Sequence, residues 1–69
     1  MSKEMDFFIS LLENYAEYKG TTADIVLKQW DSAEKTTFIY DMYERYHAEA
    51  MENAFQDIDE LMEIQDKSA

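Results

Sequence analysis

The sequence predicts an all-α fold, a small bundle of three to four helices, and three observations carry that prediction. Pro is absent and Gly occurs once, at Gly20, so little in the chain interrupts a helix. Apolar residues return at three- and four-residue spacing through most of the sequence, the period of one helix face. Capping residues divide that pattern at Ser2, around Gly20 to Asp24, and at Asp31 to Glu34.

The first helix is expected near residues 3–19. Ser2 is its N-cap, Glu4 and Asp6 sit against the positive end of the helix dipole, and Gly20 ends it. Met5, Phe8, Ile9, Leu12, Tyr15 and Ala16 form a core-facing stripe. Phe7, Leu11 and Tyr18 widen the stripe, so this helix should be contacted on two sides. Thr21-Thr22-Ala23-Asp24 reads as a capping box, the Thr21 hydroxyl accepting from the Asp24 amide, and opens a short helix near 22–30. Its apolar face is Ala23, Val26, Leu27 and Trp30, and Asp31-Ser32-Ala33-Glu34 closes it and opens the next.

From Glu34 to Asp66 no residue breaks a helix, yet the apolar pattern changes direction. Phe38, Ile39, Met42, Tyr43 and Tyr46 centre on one face. Met51, Ala54, Phe55, Ile58, Leu61 and Met62 centre roughly 130° away at about 100° per residue. One straight rod cannot aim both stripes at one core. A kink or short connection is therefore expected at His47 to Ala50, giving helices near 34–47 and 50–65, or one kinked helix. Were the rod continuous, the second stripe would face another partner, most simply a second copy of the chain. Gln65 to Ala69 are expected to fray.

The chain is read as one helical domain, 1–69, and a domain this short buries only about 60% of its unfolded surface. With 46% hydrophobic residues and no Cys, it gains stability from apolar packing, helix propensity or association, and not from disulfides. The amphipathic start lacks a signal-peptide apolar stretch, and runs such as Phe7-Phe8-Ile9 fall far short of the roughly 20 residues of a membrane span. A cytoplasmic location without membrane contact is the expectation. Sixteen acids against six bases give a formal charge of −10, which repels phosphate and argues against direct nucleic-acid binding. Between Arg45 and Lys67 the charged residues are Glu49, Glu52, Asp57, Asp59, Glu60, Glu63 and Asp66, all acidic.

Catalysis finds few parts. His47 is the sole histidine, with Glu44, Glu49 or Glu52 as neighbours, but no nucleophile is placed beside it and no Gly-rich loop offers backbone donors. Its ordinary reading is a helix-end residue. Asp57-Ile58-Asp59-Glu60 superficially suggests a cation site, yet on a helix Asp57 and Asp59 diverge by about 200°, and the loop geometry and central Gly of an EF-hand are missing. No catalytic, metal or cofactor residue is expected. The pairs sharing a face are Asp59 with Glu63 and Glu49 with Glu52, whose repulsion a partner's Lys or Arg would relieve. Tyr40 lies off the Phe38/Ile39/Met42/Tyr46 stripe and suits a half-buried interface. The expected partner-binding set is therefore Asp57, Asp59, Glu60, Glu63, Met51, Phe55, Met62 and Tyr40, against the plainer reading that the carboxylates are solvated and the aromatics are core.

The order of these features resembles a known family. Gly20-Thr21-Thr22-Ala23-Asp24-Ile25-Val26, then Phe38-Ile39-Tyr40-Asp41-Met42-Tyr43, His47 and Asp57-Ile58-Asp59-Glu60 are similar to a family of short bacterial proteins known only as a domain of unknown function, common in gut Firmicutes and related anaerobes. The likeness covers nearly the whole chain. It implies an uncharacterised helical protein whose relatives are often encoded beside an ADP-ribosyltransferase-like toxin family, and hence an antitoxin-like or accessory partner with no catalytic residues to carry over. The chain departs from the family in having Ala48-Glu49-Ala50 after His47, where a glycine-containing break is commoner, so the bend there has no glycine to make it.

Three roles follow as expectations. The first is a non-enzymatic acidic protein-interaction module for a partner with a basic surface. The second is a structural homo-oligomer, such as a homodimer, through the Met51/Phe55/Ile58/Met62 stripe. The third is an acidic mimic of nucleic acid.

Overall fold

A computed structural model describes the backbone of residues 2–68 and the side chains of residues 2–63. Five helices follow in order among the described residues: α1 (Lys3–Lys19), α2 (Ala23–Ser32), α3 (Thr36–Asp41), α4 (Tyr43–Ala48) and α5 (Met51–Ser68). The all-α reading holds, with one helix more than expected. The expected fraying of Gln65 to Ala69 lies outside the described side chains.

α1 starts and stops where its caps direct. The Met5 amide donates to Ser2 Oγ at 3.1 Å. Gly20 takes the left-handed conformation at φ 71°, and the Gly20 and Thr21 amides donate to the Glu17 and Ala16 carbonyls. This closure changes the next cap. Because Thr21 is committed to ending α1, the capping box expected at Thr21 does not form, and Thr22 is the N-cap of α2. Its hydroxyl donates to the Asp24 carboxylate, which with the Asp24 and Ile25 amides holds that carboxyl below its usual range.

α2 ends in the same motif without a glycine. Glu34 has φ 59°, its amide donates to the Asp31 carbonyl, and the Lys35 amide donates to the Trp30 carbonyl. A left-handed Glu34 cannot belong to a right-handed helix, so the expected start at 34 moves to Thr36, at a cost of roughly 1 kcal/mol relative to glycine. The Thr36 hydroxyl donates to the Asp31 carboxylate and ties the two helices together.

The helix expected over 34–47 is divided at Met42, whose φ −83° and ψ 13° leave the helical region. Its amide donates to Ile39 instead of Phe38, three residues back instead of four. No local breaker lies there, and packing accounts for the break. α3 presents Ile39 to the core and Tyr40 to Phe8, at 5.6 Å between ring centroids, whereas α4 presents Tyr43 to Phe7, also at 5.6 Å, and Tyr46 to the core. Phe38, expected on the core stripe, is 47% exposed, and Tyr40, expected off it, packs against the core.

The bend after His47 is present. Glu49 is extended at φ −114° and ψ 170°, a conformation open to any residue, so the turn into α5 proceeds without glycine. The second stripe thereby turns back onto the same core. Ala54, Phe55 and Ile58 are buried there with Phe8, Leu11, Leu12, Tyr15 and Ala16 of α1, Val26 and Trp30 of α2, Ile39 of α3 and Tyr46 of α4. α1 is the element around which the others gather, touching α2, α3 and α4, and its side chains reach α5 as well. Trp30 lies between Phe8 and Tyr15 at 5.8 and 5.7 Å, and Phe55 packs on Tyr15 and stacks on Tyr18 at 5.7 and 4.8 Å. Such ring pairs add about 0.5–1.5 kcal/mol each beyond their burial. Among the described residues, no helix is long and apolar enough to cross a membrane.

Candidate functional site on the two flanks of α5

Two carboxylates two residues apart on α5 point to opposite flanks, as a helix requires. Asp59 faces the end of α1. Tyr15 Oη donates to its Oδ1 at 2.5 Å, Tyr18 Oη to its Oδ2 at 3.2 Å, and Lys19 Nζ to Oδ1 at 3.2 Å. The ammonium of Lys19 also lies 5.7 Å from the Tyr18 ring centroid. Burial, then the hydrogen bond to Asp59 and its charge, push the Tyr15 hydroxyl well above its ordinary range.

Asp57 faces α4. Arg45 reaches its Oδ2 at 3.4 Å and Glu49 Oε1 at 3.8 Å, and the arginine side chain is 58% exposed. The Tyr46 hydroxyl is buried near Asp57 without a hydrogen bond of good geometry. Burial, then the charge of Asp57 and the approach of the hydroxyl to that carboxylate, push it up to about 12.

A groove accompanies each flank. The larger, of about 850 Å³, runs between α2 and α5 and is lined by Ile25, Lys28 and Trp30 on one side and Asp59, Met62 and Glu63 on the other, with Lys19 at its end. The smaller, of about 220 Å³, lies over Phe38, Met42 and Leu61, with Arg45, Asp57 and Glu60 at its edge. Each has an exposed apolar lip: Ile25 is 44% exposed, and Phe38 borders the smaller groove.

The eight residues expected to bind a partner are thus divided. Asp59, Met62 and Glu63 line the larger groove, and Asp57 and Glu60 the smaller. Phe55 is core, Met51 is half-buried against it, and Tyr40 covers Phe8. Asp57 and Asp59 find within the chain the cations expected from a partner. Sequence reasoning did not pick out Ile25 or Lys28, and it placed Phe38 mainly in the core. Ile25 carried a signal, an isoleucine off the Ala23/Val26/Leu27/Trp30 face, whereas Phe38 adjoins Ile39 on the apolar stripe and its exposure has no local signal.

His47 closes α4. Its Nδ1 lies 2.7 Å from the Tyr43 carbonyl, and its ring stacks on Tyr43 at 4.3 Å with Phe7 at the edge. These contacts occupy the imidazole in finishing a helix. Among the described residues no three His, Asp or Glu side chains gather as metal ligands do.

The chain matches the family described as "Protein of unknown function (DUF3791)" over residues 6–65, and it belongs to that family. No curated protein and no solved structure matches it.

Proposed function

We propose that this chain is a non-enzymatic protein-interaction module, the antitoxin-like or accessory partner of a neighbouring gene product. One observation carries this reading: Glu52, Glu60 and Glu63 stand exposed along α5 between two grooves whose lips, Ile25 and Phe38, are apolar and open. Apolar anchors beside the row of glutamates on α5 form a surface that a basic protein face complements, with charge steering the encounter and the anchors holding the complex. The shared family is one of unknown function and adds no activity to this reading.

The self-association alternative has less support, because Phe55 and Ile58 of its stripe already fill the chain's own core, leaving Met51 and Met62 at the surface. The test is co-purification with the product of the adjacent reading frame, using the unaltered chain and the triple variant Glu52→Lys, Glu60→Lys, Glu63→Lys. Capture by the unaltered chain and its loss in the variant are expected. Equal capture by both would remove the electrostatic part, and no capture by either would remove the module reading.

A further inference from the structure

We infer that the seat of α5 also accepts α5 of a second copy, so that two chains exchange this helix and form a closed dimer in which α4 and α5 run as one helix from Tyr43 to Ser68. The fit needs no surface beyond the contacts α5 already makes. Tyr15, Tyr18 and Lys19 of α1 hold Asp59, Arg45 of α4 reaches Asp57, and Phe55 packs on Tyr15 and Tyr18. A second copy's α5 brings the same Phe55, Asp57 and Asp59, so these contacts form again between chains, reciprocally, as a two-fold dimer requires. Exchange differs from docking of a surface stripe, because Ala54, Phe55 and Ile58 leave one core only to enter the other.

The connection between α4 and α5 supplies the reason to exchange. His47, Ala48, Glu49 and Ala50 are all exposed, and none of them is a helix breaker. The bend leaves backbone donors unused: among the described residues, the Ala50, Met51 and Glu52 amides have no backbone acceptor. Ala50, the residue before α5, has no side-chain oxygen to cap them, as Ser2 caps α1. In a continuous helix these three amides donate to the Tyr46, His47 and Ala48 carbonyls, four residues back. Arg45 and Glu49, paired at 3.8 Å, already have the spacing of a helical ion pair. Within one chain the bend prevails because the α4 and α5 stripes need the same core. A second chain removes that conflict, since a straight rod can aim one stripe at each of two cores. Charge opposes the exchange, each chain carrying a formal −10, so the dimer gains as salt rises.

Exchange requires α5 to leave its seat, so the test starts from unfolded protein. Equal amounts of isotopically light and heavy full-length chain are unfolded together in urea, refolded at high protein concentration and separated by size exclusion with light scattering. A carbodiimide then joins Lys19 to Asp59, whose charged groups lie 3.2 Å apart. A dimer is expected in which this link joins light to heavy chains, whereas the monomer fraction carries it within one chain. The dimer yield should rise with salt. Ala50→Ser, a neutral change that caps only the bent form, should lower the dimerisation constant at least about tenfold, since each dimer forgoes two caps. Ala50→Pro follows the extended Glu49 and cannot sit inside a continuous helix, so it should abolish the dimer and keep the monomer's helical circular dichroism.

No dimer at any protein concentration, a dimer whose Lys19 to Asp59 links stay within chains, or a dimer yield indifferent to Ala50→Ser would overturn the inference. None of these outcomes bears on capture of the adjacent gene's product, so the interaction-module reading stands or falls separately.

Discussion

Asp57 and Asp59 are the same side chain on the same helix, each half-buried and each facing a cation and a tyrosine, yet the structure uses them differently. Asp59 is held by three donors, two of them tyrosine hydroxyls fixed in an aromatic cluster. Asp57 is approached by one exposed arginine shared with Glu49, while the nearby Tyr46 hydroxyl makes no hydrogen bond of good geometry to it. The contrast teaches that charge proximity alone does little at a surface. A directional bond from a positioned, partly buried donor is worth about 1.5–3 kcal/mol when the acceptor is ionised, whereas an exposed pair is worth about 0–1 kcal/mol. α5 is therefore fastened to α1 by geometry and laid beside α4 by screened attraction.

Removing each carboxylate is the strongest way to break the comparison. Asp59→Ala should lower unfolding free energy by about 2 kcal/mol, because it strands the Tyr15 hydroxyl, while Asp57→Ala should cost about 0.5 kcal/mol or less. Urea titrations of both variants decide this, and equal losses would erase the distinction.

The tyrosines should then move in opposite directions. Tyr15→Phe deletes the 2.5 Å bond and should destabilise by about 1–1.5 kcal/mol, whereas Tyr46→Phe deletes a buried hydroxyl without a well-formed bond and should raise stability by up to about 1 kcal/mol. A destabilised Tyr46→Phe would show that this hydroxyl has an acceptor after all.

Alkaline titration sharpens the same point. Both hydroxyls keep their protons more tightly in the folded state, so their contribution is present below pH about 10, the unfolded value. It is lost as the pH rises from there, through about 12 for Tyr46. For one such tyrosine the loss is at most about 1.4 kcal/mol per pH unit. Urea midpoints between pH 9 and 12 should fall, and the slope should be shallower in Tyr46→Phe. A midpoint that stayed flat above pH 10 would contradict both shifts.

Salt should give the smallest effect. Between low salt and about 1 M, the difference between the unaltered chain and Asp57→Ala should shrink by a few tenths of a kcal/mol, while that for Asp59→Ala should hardly change. Paired denaturation curves at the two ionic strengths measure it.

The helices and the core were largely legible because they depend on local quantities. Ser2 and Gly20 mark the ends of α1 through their own backbone chemistry, and the second apolar stripe, with Ala54, Phe55 and Ile58, is where the period places it. The errors occur where two elements compete for one residue. Thr21 could cap α2 or close α1, and Met42 could continue a helix or let Tyr40 and Tyr46 reach different parts of α1 and the core. Of the candidate site, the acids were visible as a run, but their division into an Asp59 groove and an Asp57 groove required the partners from α1 and α4.

By itself, the sequence determined the helical class, the acidic surface, the direction change after His47 and the opposed headings of Asp57 and Asp59, because each follows from propensity, charge or a 100° step. Only the tertiary structure decided that Lys19 and Arg45 meet those acids, that Phe38 and Ile25 stay outside, and that one hydroxyl is well bonded while another is not. Those outcomes depend on contacts between separate helices, such as Tyr15 to Asp59 and Arg45 to Asp57, and local pattern carries no information about which side chains arrive there.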